Sequence, residues 1–335
     1  MLISDPLPFI KEFIQALNQA IKAERANRGL SRIQCGWLGF CLMGIIITNS
    51  VCWVKFERAG LGGWSLGALS WMFRHSKFPW ERLRVLSIGL ILKRYGITEG
   101  CLALDDSDKR GSKVTSTIAG VHKLKDKASG DYMMGQCLIF LVLITPKVTI
   151  PVGFVFYEPD PTLSAWYKRN KQLKKAGIVA KHRPKKPVKN PHDPSKQELA
   201  LELLKTVGQE HPQVNVKCVL ADALYGTGVF CQKASTLFGG TQLISQLRSN
   251  QNILYRGKKM SVESYFSTYP GTTQVIRIRG NEPQQVTVGS ARLVVSAHGK
   301  KRFVIALKYE GEDSYRYLVA TDLTWRTLDI RGKSS

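Results

Sequence analysis

Residues 102–113 read LALDDSDKRGSK. A short apolar run, Cys101 to Leu104, meets three acids within four residues: Asp105, Asp106 and Asp108. An apolar run of that length, stopped by polar residues, reads as a buried strand. Residues 214–222 read VNVKCVLAD, a second such run, and it too ends on an acid, Asp222. The chain has 335 residues and a formal net charge of +24, so carboxylates placed at two strand ends need a physical reason.

The segments between the two runs supply one. Tyr132 to Ile144 and Val148 to Tyr157 are rich in Ile, Val, Leu and Phe and are separated by a turn at Pro146, which predicts a hairpin. Trp166 to Lys196 follows, with eleven Lys or Arg and one acid, and its Lys and Pro content predicts an exposed loop. Ser195 and Glu198 have capping-box spacing ahead of a helix over Gln197 to Gly208. The order is then strand, strand, strand, helix, strand. A hairpin followed by a right-handed crossover lets the first and fourth strands lie side by side and parallel. Sites in open α/β sheets lie outside the carboxyl ends of such strands. Carboxylates held close together repel unless a cation stands between them. Oxygen donors and a hard charge point to Mg²⁺ or Mn²⁺, with Asp105, Asp106 and Asp222 as ligands. Two plainer readings stay open: a solvated strand-to-loop turn for the first three acids, and a helix cap for Asp222.

Outward from this core the pattern changes twice. Residues 1–98 read as helices: an amphipathic one over residues 6–28, an apolar one from Gly36 to Val54, a third from Leu66 to Phe73, and a fourth opening at Pro79 and stopping at Gly96. Gly36 to Val54 has nearly the length of a membrane span, but Thr48, Asn49 and Ser50 interrupt it, which favours a core helix over a transmembrane one. The first residues lack the layout of a signal peptide. The seven cysteines form no Cys-x-x-Cys pair and read as reduced thiols of a cytoplasmic protein. Residues 249–325 show β periodicity broken by turns at Pro270-Gly271, Gly280-Asn281 and His298-Gly299, and read as an all-β insertion, separate from the sheet of residues 99–248.

The basic excess predicts a polyanionic partner. Lys109, Arg110, Lys113, Lys123, Lys125 and Lys127 follow the acids directly and read as a phosphate-contacting face or, more plainly, a solvated loop. Lys168, Arg169 and Lys171 lie in the basic interval, beside Trp166 and Tyr167, which are able to stack on bases. Arg248, at the exit of the fifth strand (Thr241 to Arg248), is a further candidate. His122, His182 and His298 read as surface residues.

From Leu102 onward the chain resembles the DDE transposases of bacterial insertion sequences, in particular the insertion-sequence-four-like group. ALDDSD resembles that family's first-acid motif and selects Asp106, followed by Ser107, over Asp105. VLADALYG resembles the second-acid motif and selects Asp222. HKLKDKASGDYMMGQ, residues 122–136, resembles the basic segment before the second strand. The resemblance implies an RNase H-like mixed sheet split by an all-β insertion. It also implies two-metal cleavage of DNA at terminal inverted repeats, followed by strand transfer to target DNA by a nucleoid-associated protein working as a homodimer. The family's third acid, a Glu on a helix with a Tyr-x-x-Arg signature, has no counterpart after YRYLVATD. Glu310, Glu312, Asp313, Asp322 and Asp329 lack that context. Residues 326–335 stand where that helix should begin, so the expectation is a truncated chain with little or no strand transfer, or a DNA-binding remnant without catalysis.

Overall fold

The computed structural model describes residues 5–24, 29–60, 62–111, 118–126, 129–276 and 282–324. The chain divides into two compact units, Met1–Ile97 and Thr98–Ser335.

The first unit is helical: α1 (Pro8–Glu24), α2 (Arg32–Thr48), α3 (Trp53–Ala59), α4 (Leu66–His75) and α5 (Trp80–Tyr95). On α1, Ile10, Ile14, Leu17 and Ile21 make one buried stripe at the 3–4 spacing of an amphipathic helix. The apolar segment expected over Gly36 to Val54 starts earlier and stops sooner. Ser31 and Gln34 form a reciprocal capping box at its start, and Asn49 ends it in the left-handed conformation. Its Trp37, Phe40 and Met43 lie in the core with Phe56 and Leu69. Trp37 packs against Phe73, Phe78 and Trp80, and its indole N–H donates to the Leu69 carbonyl at 3.3 Å. Among the described residues no single helix is long and apolar enough to cross a membrane; only α2 with α3, bent by 90° at the break, passes a test of length and composition.

The second unit is built on one mixed sheet. Its elements are β1 (Glu99–Arg110), β2 (His122–Lys125), β3 (Tyr132–Ile144), β4 (Thr149–Tyr157), α6 (Pro161–Lys175), α7 (Lys196–Glu210), β5 (Asn215–Ala221), α8 (Gly228–Leu237), β6 (Gln242–Leu247), β7 (Asn252–Tyr255), β8 (Lys258–Ser261), α9 (Val262–Thr268), β9 (Thr272–Ile276), β10 (Gln284–Val295), β11 (Lys300–Tyr309) and β12 (Arg316–Ala320). The sheet order is β2-β3-β1-β5-β6-β12-β11-β10-β7-β8, with β4 on β3 and β9 on β10. The β1–β5 and β5–β6 pairs are parallel. Leu102, Leu104, Ile139, Leu141, Cys218 and Val219 bury the centre of this sheet. Helix α7 lies against β3 and β4. Gly153 of β4 permits this approach, because a Cβ there would stand 2.8 Å from Leu203 Cδ1.

Three expectations change. The first strand does not stop at Asp105. It runs on to Arg110, because β3 keeps pairing with it from Cys101↔Ile144 to Arg110↔Gly135, so the acids sit within a strand and not in a turn, although Asp105 is exposed to solvent. The interval from Trp166 is a loop only from residue 176 onward; up to Lys175 it is helix α6, which Asp160 caps by accepting from the Thr162 and Leu163 N–H groups, with Pro161 in the first turn. The block after residue 248 is neither all-β nor separate. It contains α9, and β12 pairs antiparallel with β6 from Tyr317↔Leu247 to Ala320↔Ile244, which makes it a continuation of the same sheet. Alternation along β11 sends Val304 and Ala306 to a cluster with Phe266 and Tyr317, and Phe303, Ile305 and Leu307 to one with Val286 and Ile244. The architecture is thus mixed α/β with a helical unit before it.

Candidate metal centre

The parallel pairing of β1 with β5 ends at Leu104↔Ala221. The next residue on each strand is an acid, Asp105 and Asp222, and Asp106 follows. One carboxylate oxygen from each of Asp105, Asp106 and Asp222 lies within 4.8 Å of the others. They line a groove of about 440 Å³ floored by Leu104, Leu220 and Ile244, with Ser245 and Gln246 of β6 on its far side. The fork explains the opening: past Leu104 β1 keeps one neighbour, and the space β5 vacates becomes the groove.

The loop after β5 is tied down around this point. Asp222 also caps the single turn Ala223–Tyr225, accepting from the Ala223 N–H, so the cap reading and the cluster reading hold for the same side chain. Ser245 donates its hydroxyl to the Asp222 carbonyl at 2.9 Å. Gly226 is packed so closely that a Cβ would stand 2.8 Å from Ser245 Oγ and 2.9 Å from the Gln246 carbonyl. His298 contacts the Gly226 carbonyl through Nε2 at 2.8 Å and accepts from Arg302 at 3.3 Å, so it is half-buried and not the surface residue its sequence context suggested.

Sequence reasoning missed Lys196. Its ammonium donates to Asp106 Oδ2 at 2.5 Å, with side chains 22% and 14% exposed. Burial works against its charge, but hydrogen bonds to Asp106 and Cys137 outweigh this, and its pKa is raised. Helix α7 aims it: Ser195 and Glu198 form the expected capping box, and Gln197 donates to the Leu224 carbonyl at 2.6 Å and accepts from Thr227 at 3.1 Å. The helix start therefore bridges β1 and the loop after Asp222. The signal was present as a lysine in the first turn of a capped helix, but nothing local shows which strand it faces.

Cys137 and Tyr225 were missed as well. Cys137 is fully buried opposite Asp108, with its sulfur 3.9 Å from Asp106 Oδ2, and burial pushes its thiol up to about 11. Asp106, Asp108 and Cys137 form a second cluster able to hold a metal ion. Tyr225 is fully buried, and its hydroxyl has no hydrogen-bond partner among the described residues. Burial first, then the charges of Asp106, Cys137, Asp105 and Asp222, raise its pKa. The donor sets fit a cation: clustered anionic oxygens at a groove, and an orphaned phenol beside them.

The basic candidates fall into separate groups. Lys109 and Arg110 are exposed at the end of β1, and Lys123 and Lys125 on β2 flank them through β3, where Arg110 and His122 both pair with Gly135. Lys123 stands 4.4 Å above the Tyr132 ring. Lys113 and Lys127 lie outside the described residues, as does the segment 326–335. Lys168, Arg169 and Lys171 are exposed on α6, a helix with no buried residue. Trp166 is held by its N–H donating to the Pro184 carbonyl at 2.8 Å, while Tyr167 is exposed. Arg248 is exposed beyond β6; the groove lining includes Gln246 and not Arg248. Of the late acids among the described residues, Glu312 pairs with Arg316 and Asp322 accepts from Thr324, and none joins the Asp105–Asp106–Asp222 cluster.

No protein-family model matches the chain, and no curated protein is significantly similar to it.

Proposed function

We propose that this protein binds DNA and uses Asp106 and Asp222, with Asp105, to hold Mg²⁺ or Mn²⁺ for phosphodiester chemistry of the transposase type, on an RNase H-like sheet. The observation that carries this reading is the meeting of Asp105, Asp106 and Asp222 at the fork between two parallel strands, with ligand oxygens within 4.8 Å. A divalent ion bound there would polarise a phosphate oxygen and lower the pKa of an attacking water. The chain's own contribution is placement. The β1–β5 register sets the two strand acids side by side, the Ser245 bond and the tight packing at Gly226 fix the loop after Asp222, and the Lys109–Arg110–Lys123–Lys125 ribbon end offers positive charge just past the acids for a phosphate backbone.

A second reading, DNA binding without catalysis, is favoured by one observation: Lys196 already neutralises Asp106. The two readings separate in one experiment. Calorimetric titration of Mg²⁺ and Mn²⁺ into chelator-stripped protein, paired with a nicking assay on supercoiled DNA, is expected to show metal binding that Asp106→Ala and Asp222→Ala abolish, with at most weak metal-dependent nicking, because no late acid among the described residues joins the cluster. DNA binding that is indifferent to metal and to both substitutions would leave the binder as the correct reading.

A further inference from the structure

We propose that Asp106, Asp108 and Cys137 form a second cation site, selective for a thiophilic divalent ion of the Zn²⁺, Co²⁺ or Cd²⁺ class. The idea that this site shares Asp106 with a hard-ion site rests on the reading above; the site itself stands on its own geometry.

Asp106 and Asp108 are two apart on β1 and so project from one face of the sheet. Cys137 of β3 is the direct cross-strand partner of Asp108 and the diagonal neighbour of Asp106. The three ligand atoms lie within 4.8 Å of one another, and the sulfur is 3.9 Å from Asp106 Oδ2. Ligand atoms around a small tetrahedral ion stand roughly 3.5 Å apart, within reach of small side-chain rotations. The donor set decides the class. Mg²⁺ and Ca²⁺ take oxygen, whereas a thiolate with two carboxylates suits Zn²⁺ and its neighbours.

One further observation points to a ligand here. It is Tyr225, fully buried, whose hydroxyl has no partner among the described residues and on which Asp106 and Cys137 exert the strongest charge effects. A water in the ion's fourth position would accept from that hydroxyl. The Lys196 ammonium, which sits against Asp106 and 5.4 Å from the Tyr157 ring centre, is the cation that an entering ion displaces. Ion entry forms one sulfur–metal and two oxygen–metal bonds, releases the thiol proton to solvent and frees the ammonium. No electron is transferred.

The test is Co²⁺ titration of the chelator-stripped full chain at neutral pH, read by the thiolate-to-cobalt charge-transfer absorbance. Wild type and Asp222→Asn are expected to develop the band. Cys137→Ser is expected to lose it although the other six cysteines remain, and Asp108→Asn to weaken the apparent affinity at least tenfold. Circular dichroism establishes that Cys137→Ser is folded, and Asp108→Asn gives an independent readout if it is not. Absence of the band in wild type, its persistence in Cys137→Ser, or undiminished affinity in Asp108→Asn overturns the proposal. The hard-ion reading fails separately: it falls if Mg²⁺ and Mn²⁺ show no calorimetric binding, whatever Co²⁺ does.

Discussion

Asp106 of β1 and Lys196 of α7, ninety residues apart in sequence, form an ion pair on one member of the acid cluster. Both side chains are mostly buried, so the pair is less screened than a surface one, and removing one partner leaves the other charge poorly compensated. Lys196→Met is expected to lower stability by about 1–3 kcal/mol in metal-free protein, measured by urea unfolding. Because the pKa of Lys196 is raised above its ordinary value of 10.5, the pair's contribution is complete at neutral pH and is lost only as pH rises through the folded-state value. Saturating Mg²⁺ is expected to shrink the difference between variant and wild type, since the metal and the ammonium compete for Asp106. An unchanged difference would show that they do not.

The ribbon end carrying Lys109, Arg110, Lys123 and Lys125 makes a prediction about salt. Each phosphate neutralised contributes about −0.9 to the slope of log K against log salt concentration. Replacing all four by Ala is expected to make the slope shallower by about three to four, read by fluorescence anisotropy on a random-sequence duplex. The same experiment on Lys168, Arg169 and Lys171 measures the contribution of α6 separately. A slope unaltered by the first set would remove the ribbon end from the DNA interface.

These groups differ in how far the sequence revealed them. The hairpin β3–β4, the Ser195–Glu198 box and the Gly96 stop are local chemistry, and local pattern sufficed. Helix α6 was hidden because it buries no side chain, so no apolar stripe exists for periodicity to reveal, and lysine density outweighed the Asp160-Pro161 start signal. The length of β1 was hidden for another reason. Residues 105–110 are polar, and it is pairing with β3, not strand propensity, that keeps them extended. The joining of β12 to β6 and the placing of Lys196 on Asp106 depend on contacts across many residues, which a single sequence does not display.

The capping box of α7 predicts an acid sensitivity. Glu198 accepts from Lys189 and from the Ser195 hydroxyl and N–H, and these bonds hold its pKa down to about 2 from an ordinary 4.5. A carboxyl depressed on folding stabilises the folded state above its unfolded value, so this contribution is present above about pH 4.5 and fades as pH falls toward 2. Ser195→Ala is expected to cost about 1 kcal/mol near neutrality. It should also flatten the stability profile between those two pH values, followed by thermal melts. A wild-type profile in that window would mean that the Ser195 hydroxyl adds nothing to the hold that Lys189, the largest cause, and the residue-195 N–H keep on Glu198.

Tyr225→Phe separates the structural and functional demands on one atom. The buried hydroxyl has no partner among the described residues, and a buried hydroxyl without a protein partner carries a desolvation cost. Removing the oxygen while keeping the ring, which packs 5.3 Å from Phe230, is therefore expected to raise stability by about 1 kcal/mol in the presence of a chelator. If the hydroxyl serves a water on a bound ion, the same substitution weakens divalent-cation binding while the metal-free fold gains. Calorimetric affinity and chelator-treated melting, measured on one preparation, should thus move in opposite directions. A variant less stable than wild type without metal would show that the hydroxyl is already satisfied in the resting protein.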